Sequence, residues 1–349
     1  MNPAPTVAPG PGGREDDLAH MRRAVELAAG VRGSTSPNPW VGCLLVGVDG
    51  RVFEGATEPP GGRHAEVVAL HAAGEQACGS TLYVTLEPCA HRGRTPPCAA
   101  AIAAAGVRRV VSALGDPDPN VAGRGYAHLR GAGVEVSEGT GAEQAADQLA
   151  PYLKHRRSGR PWVVLKLAAT FDGRIAAPDG SSKWITGPQA RADTQRLRAE
   201  SDAVLVGAGT VRADDPRLTV RSGPSPARQP LRVVLGRAPE TAAVLPAIEF
   251  EGDVAELLDR LGDKGVLQLL VEGGASVAHQ FHSAGLVDRY VLYLTPGLFG
   301  GSDARPMFAG PGAPSVEQLW RGRLVTVARL GDDLRVELAP LVASREGRS

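Results

Sequence analysis

The chain has 349 residues, enough for two ordinary domains and too many for one small core. Lysine plus arginine and aspartate plus glutamate each total 38, a formal charge of zero that argues against a nucleic-acid-binding surface spread over the molecule. Aromatic residues make up only 4%, too few to stack successive bases of a single strand. No run approaches the ~18 apolar residues of a membrane span, so no membrane partner is expected. Hydrophobic residues at 43% and charged residues at 22% are ordinary globular values, which excludes wholesale disorder. The first fourteen residues lack both a cationic start and an apolar segment and read as a disordered tail, not a signal peptide. Four cysteines without a disulfide pattern point to a reducing compartment, the cytoplasm.

From Asp17, the positions Leu18, Met21, Val25 and Ala28 follow one helical face that stops at Gly30. After a loop over 31–39, the runs 41–48 and 51–56 around Asp49-Gly50 predict a β-hairpin. A glycine-rich loop over 57–63 leads to a helix over 64–73 and a strand over 81–87. The run 96–106 predicts a helix, with proline at its start and glycine after its end. A strand over 107–114 precedes the turn Asp116-Pro117-Asp118-Pro119-Asn120. The boundary falls within 137–160, where a connecting helix around 142–155 runs into the basic joint 155–160. A second alternating series then predicts strands over 161–170, 203–207, 231–235, 266–271 and 289–294, with helices near 188–200, 253–262 and 275–284. Alternation of this kind implies sheets covered by helices, an α/β protein. No internal repeat relates the halves, so two different folds are expected.

The strongest chemical signal is His64-Ala65-Glu66 followed by Pro88-Cys89 and Cys98. One imidazole and two thiolates are a ligand set that tetrahedral Zn²⁺ accepts while a fourth position stays free for water. Zinc lowers the pKa of such a water towards neutrality, and Glu66, two residues from a ligand, is near enough to shuttle its proton to departing ammonia. That is the pattern of the zinc nucleobase deaminases. One departure is the eight residues between the cysteines, where the general pattern has two. The enlarged loop carries His91, Arg92, Arg94 and Thr95, and Arg94 is a candidate for binding a substrate phosphate. Cys43 reads as a packed thiol in an apolar strand, and the remaining histidines read as structural.

With SPNPWVGC (36–43), HAEVVAL (64–70), TLEPCAHRGRTPPC (85–98) and DPDPNVAGRG (116–125), the chain resembles the bifunctional riboflavin-biosynthesis deaminase–reductases, from about residue 17 to 340. The resemblance implies a cytidine-deaminase-like three-layer α/β/α domain followed by a dihydrofolate-reductase-like α/β domain. The expected boundaries are a tail over 1–14, a zinc deaminase domain over 15–145, a linker over 146–160 and an NADPH-dependent reductase domain over 161–342. It implies removal of the 2-amino group of 2,5-diamino-6-(ribosylamino)-4(3H)-pyrimidinone 5′-phosphate, then reduction of the ribosyl side chain to ribityl with NADPH. Small pyrimidine ribosyl phosphates are thus the expected partners, in a homo-oligomer. His64, Cys89 and Cys98 match the zinc ligands, Glu66 the proton shuttle and Asn38 a position near the pyrimidine. A turn-forming role for Asn38, between two prolines, stands beside that reading.

In the second half, no G-x-G-x-x-G follows a strand, so a Rossmann site is not supported. The candidate phosphate cradle is VEGGASVA (271–278), a strand end, two glycines and a helix start whose free N–H groups face an anion. Lys166, in mid-strand within an apolar run, reads as a pocket-facing amine, with a snorkelling edge lysine as the alternative. By resemblance, the cofactor contacts are Ala168, Trp184, Thr210, Asp214, Gly274, Ala275, Ser276, Val277, Ala278, His279 and Gln280. The substrate contacts are Ser182, Arg198, Leu218, Arg221 and Glu272. Hydride transfer needs orientation more than a protein nucleophile, in keeping with the lack of a nucleophile–base pair here. Residues 222–253 are short for the family, which leaves open a deaminase whose C-terminal domain is a degenerate nucleotide-binding or oligomerisation module. A nucleic-acid base deaminase with an accessory domain is the other rival; zero net charge and few aromatics count against it.

Overall fold

The computed structural model describes residues 14–90, 96–222 and 228–341. They form two compact units, the first ending at Ser158 and the second beginning at Gly159. The tail expected over 1–14 lies outside the described residues except Arg14, which already opens a helix.

The first unit runs α1 (Arg14–Gly30), β1 (Gly42–Val46), β2 (Val52–Ala56), α2 (Ala65–Ala73), β3 (Thr81–Val84), α3 (Cys98–Ala104), β4 (Arg109–Ser112), α4 (Arg124–Gly131), β5 (Glu135–Glu138) and α5 (Ala142–Ser158). Its sheet has the order β2-β1-β3-β4-β5; β1 is antiparallel to β2 and β3, and the remaining pairs are parallel. On one face Met21 and Ala24 of α1 and Ala145 of α5 pack with Leu44, Tyr83 and Val111. Two glycines on neighbouring strands show how closely helices approach this sheet. A Cβ at Gly42 would lie 1.8 Å from the Ala24 carbonyl of α1, and one at Gly55 would lie 2.2 Å from the Ala65 carbonyl of α2. Gly55 pairs with Cys43, so the strand pleat points it away from the face that Gly42 uses, and helices cover both faces. This is the three-layer α/β/α arrangement. Most of residues 146–160, assigned to a linker by sequence, are helical in α5 and belong to the first unit.

The second unit runs β6 (Trp162–Thr170), β7 (Arg174–Ala176), α6 (Pro188–Ala199), β8 (Ala203–Gly207), α7 (Ala208–Asp214), β9 (Leu231–Leu235), β10 (Ile248–Phe250), α8 (Val254–Asp263), β11 (Gln268–Val271), α9 (Ala275–Ser283), β12 (Arg289–Thr295), β13 (Arg305–Pro306), β14 (Gly322–Leu330) and β15 (Asp333–Pro340). Eight strands form one sheet in the order β10-β9-β8-β11-β6-β12-β15-β14, parallel as far as β12 and antiparallel beyond it. Crossover helices bury the parallel part, which explains its near-continuous apolar runs. α8 shows the logic locally. Asp253 caps it by accepting from the Ala255 amide, and Val254, Leu257, Leu258 and Leu261 form its buried stripe. The 222–253 segment keeps β9 and β10 in the sheet, while 223–227 lie outside the described residues. No described helix is long and apolar enough to cross a membrane.

The close approach at Gly42 makes a direct prediction. Gly42→Ala forces the β1–α1 contact apart and destabilises the first unit by about 1–3 kcal/mol. Thermal unfolding reads this as a lowered midpoint, and an unchanged midpoint would contradict the contact.

Candidate active sites of the two units

His64 caps the start of α2 in extended conformation, Glu66 sits in that helix's first turn, Cys89 follows β3 and Cys98 opens α3. Three separate segments thereby converge. His64 Nδ1 lies 3.3 Å from Cys98 Sγ and 3.7 Å from Cys89 Sγ, and the three donor atoms fall within 4.8 Å of one another. Ordinary Zn–N and Zn–S bonds in a tetrahedron require an N···S edge of roughly 3.6 Å, so the donors present fit zinc. The Cys98 amide also donates to Cys89 Sγ at 3.3 Å, a bond that stabilises the thiolate ligand. The Cys89 thiol is pushed down by the hydrogen bond from Cys98 and by His64, while Cys98 is pushed up by holding that proton and by burial.

Glu66 is 4% exposed, and burial pushes its carboxyl up to about 7. It lines a cavity of about 350 Å³ together with His64, Cys89 and Asn38. The Asn38 backbone is held by its N–H donating to the Thr35 carbonyl and its main-chain carbonyl accepting from Thr35 Oγ1. Arg94 lies outside the described residues.

The cavity also contains groups that sequence reading passed over: Glu87, Asp116, Asp118, Tyr152 and Arg156. Glu87 is a buried carboxylate that accepts from the amides of Asp116, Gly123, Gly125 and Tyr126 at 2.9–3.4 Å. It ties the loop after β4 to the segment that carries Cys89. The acidic turn 116–120 was visible in sequence as a turn, and its two carboxylates were the available clue. Tyr152 and Arg156 gave no such signal.

In the second unit, Glu272 follows the last residue of β11, at the strand end where α/β sheets bind ligands, and Lys166 faces it from the middle of the neighbouring parallel strand β6. Glu272 takes a two-pronged ion pair from Arg198 of α6 at 2.5 and 3.0 Å, and Lys166 Nζ lies 4.0 Å from it. Burial pushes Lys166 down, against the pull of Glu272, whereas Arg198 and Lys166 hold the Glu272 carboxyl low. The Lys166 ammonium also faces the Tyr293 ring at 5.9 Å. Arg221 is exposed and joins through its amide to Gln195.

The start of α9 meets the start of α7: a Cβ at Gly274 would lie 3.3 Å from Thr210 Oγ1, and one at Gly207 would lie 2.8 Å from Val277. Lys183, between Ser182 and Trp184, reaches Asp214 through its carbonyl and carboxylate at 3.3 and 3.7 Å. Trp184 is 70% exposed and stacks with Arg191. Ala168 lies on β6 beside Tyr293 of β12. Other positions qualify their expected roles. Leu218 is 2% exposed within the core at φ +52°, and Val277 and Ala278 are buried too, so only their backbones can meet a ligand. His279 lies under Gly310, whose Cβ would fall 2.3 Å from its ring. Ala275 accepts from the Ala309 amide, while Ser276 and Gln280 are exposed.

A zinc-type deaminase unit and a reductase unit in one chain define a two-activity pyrimidine-processing class. Comparison with known proteins agrees for both. Residues 14–114 match the cytidine and deoxycytidylate deaminase zinc-binding region, and residues 161–336 match the RibD C-terminal domain. The riboflavin biosynthesis protein RibD of Escherichia coli is 40% identical over 363 residues, covering 92% of this chain and 99% of that protein. RibD of Mycobacterium tuberculosis is 43% identical over 331 residues, with 91% and 96% covered. Among solved structures, Acinetobacter baumannii RibD superposes with TM-score 0.87 at 42% identity, covering 95% of this chain and 100% of that one. The deaminase/reductase of Thermotoga maritima gives 0.83 at 31% identity, with 94% and 99% covered. The chain belongs to the RibD family, the bifunctional deaminase–reductases of riboflavin biosynthesis, with a zinc-binding deaminase unit and a dihydrofolate-reductase-like unit that uses NADPH. Both units are present, which favours this reading over the degenerate-module alternative.

Proposed function

We propose that the first unit hydrolyses the 2-amino group of diaminohydroxyphosphoribosylaminopyrimidine and that the second reduces the resulting 5-amino-6-(5-phosphoribosylamino)uracil, the two reactions named for the Thermotoga maritima relative. The observation that carries the reading is the convergence of His64, Cys89 and Cys98 beside Glu66 in one cavity of ligand size. His64, Cys89 and Cys98 would hold the zinc, whose Lewis acidity brings the pKa of water close to neutrality. Glu66 takes the proton that the attacking water gives up and returns it to the departing amino nitrogen. Its burial suits both halves of that exchange near neutral pH. Asn38 can donate to and accept from the pyrimidine edge, and Asp116 and Asp118 offer acceptors to its amino hydrogens. Arg94 and Arg156 are the candidate cations for the phosphate.

In the second unit the start of α9, from Gly274 to Gln280, with Thr210, Asp214, Trp184 and Ala168, is proposed to bind NADPH, which supplies the hydride. Ser182, Arg198, Leu218, Arg221 and Glu272 are proposed to hold the ribosyl phosphate. Lys166 is placed to deliver the proton that accompanies hydride addition, since its buried ammonium is held less tightly than usual. A cytoplasmic location is proposed because thiolate ligands persist in a reducing compartment. Self-association is proposed through the edge strand β14, where Leu324 and Val327 are 57% and 55% exposed. Sedimentation at micromolar chain concentration should then report an oligomer, and a monomer would refute that assignment.

The function is tested in one set of assays. Glu66→Gln retains about one zinc per chain while deamination falls roughly 10²–10⁴-fold. Wild-type chain oxidises NADPH when given the deaminated uracil phosphate, and not with the diaminopyrimidine if deamination is blocked. Undiminished turnover by Glu66→Gln would remove the shuttle, and deamination without NADPH oxidation would remove the reductase.

A further inference from the structure

The helix α5 does more than lead out of the first unit. Gln148 donates to the Val25 carbonyl at 2.9 Å and accepts from Trp40 Nε1 at 3.2 Å, which fixes the helix against α1 and the 31–41 loop. One turn on, Tyr152 and then Arg156 enter the lining of the deaminase cavity. The Tyr152 hydroxyl lies 3.1 Å from both carboxylate oxygens of Asp116. Arg156 stacks on the Tyr152 ring at 5.1 Å and places Nε 3.7 Å from Asp118.

Asp116 is 7% exposed. Its backbone amide donates to Glu87, and its Oδ1 accepts from the Asp118 amide at 2.9 Å. A carboxylate so buried loses its hydration and needs donors to remain both ionised and oriented. Among the described residues, the side-chain donor on it is the Tyr152 phenol, which reaches it from a different element.

We propose that Tyr152 is a positioning residue for deamination: its hydroxyl holds the Asp116 carboxylate in the orientation that accepts from the amino-substituted pyrimidine. The proposal rests on the deaminase reading above and deepens it. The charged neighbours support it. Burial pushes the Asp116 carboxyl up, Glu87 and Asp118 push it the same way, and the Asp118 amide and Tyr152 hydroxyl oppose them. Arg156, paired with Asp118, moderates the second of those anions. Removing the hydroxyl therefore raises the Asp116 pKa further. A group that must be ionised to bind then becomes protonated at a higher pH, so the second, lower inflection on the acid side of kcat/KM, beneath the one set by Glu66, moves up.

The test uses the full, zinc-loaded chain and diaminohydroxyphosphoribosylaminopyrimidine. Tyr152→Phe keeps zinc content and melting temperature near wild type, while KM rises about tenfold and kcat changes less than about threefold. The lower inflection on the acid side of the kcat/KM profile moves up by as much as about one pH unit, while the one set by Glu66 stays in place. In an Asp116→Asn background the same substitution adds less than about twofold to KM, because both act through one group. Zinc-loaded Tyr152→Phe with wild-type KM and pH profile overturns the proposal, as does an effect that persists undiminished in Asp116→Asn. Should Tyr152→Phe fail to retain zinc, zinc-loaded Tyr152→Leu, a second variant without the hydroxyl, decides: a raised KM with the lower inflection moved up supports the proposal, and an unaltered KM and pH profile overturn it. A wild-type chain that releases no ammonia overturns the deaminase reading and this proposal with it. A deaminating wild type beside an unaltered Tyr152→Phe overturns this proposal alone.

Discussion

Three donor atoms from three chain segments must meet within a few ångströms, and the first unit is arranged around that requirement. His64 can contribute its ring because α2 begins one residue later, leaving His64 extended at the helix start. Cys98 is brought to the same point because β3 and the turn after it deliver Cys89, whose carbonyl accepts from Ala99 and whose sulfur accepts from the Cys98 amide. Imidazole nitrogen and thiolate sulfur bring the charge and softness that zinc takes up, so the fold and the ligand set reinforce each other. Glu66 is then placed by helix geometry, two residues past His64 and buried, with its carboxyl in hydrogen-bond contact with Cys98.

Charge burial sets the rest. In the first unit Glu87 spends both its oxygens on backbone amides of the loop after β4, so a buried anion becomes the fixing point for the cavity wall. In the second, Lys166 from mid-β6, Arg198 from the last turn of α6 and Glu272 just past β11 meet where none could be left without a partner of opposite sign. The same rule runs deeper into that unit. Tyr293 donates to Asp193, which also takes Arg335, and Arg335 and Arg289 share Glu337. These contacts fasten the final hairpin to α6 and to the strand beneath Lys166. A polar network of this kind orders an active site without touching substrate.

Much of this was legible in the residues, for physical reasons that can be named. Strands buried on both faces stand out: β8 is apolar throughout, and β11 is apolar but for Gln268. α8 shows a clean stripe behind an aspartate cap, and α6 announces itself by proline in its first turn. The elements passed over lack those marks. α4 is eight residues long and bounded by glycines; β15 carries Arg335 and Glu337 inward as an ion pair; β14 is exposed along most of its length, so no alternation marks it. The zinc ligands and Glu66 were legible because their chemistry is compressed into two short motifs. Tyr152 was not, because its meaning comes from Asp116, 36 residues away, and no local pattern records that meeting. Leu218 shows the converse: a position suggested for substrate contact turns out to have its side chain in the core.

The metal centre is what the first unit is arranged around, and X-ray absorption at the zinc edge of the purified chain interrogates it most directly. The account predicts one zinc per chain, with two sulfur neighbours near 2.3 Å and nitrogen or oxygen neighbours near 2.0–2.1 Å. A chain that carries no zinc, or a shell of oxygen and nitrogen without sulfur, would contradict it.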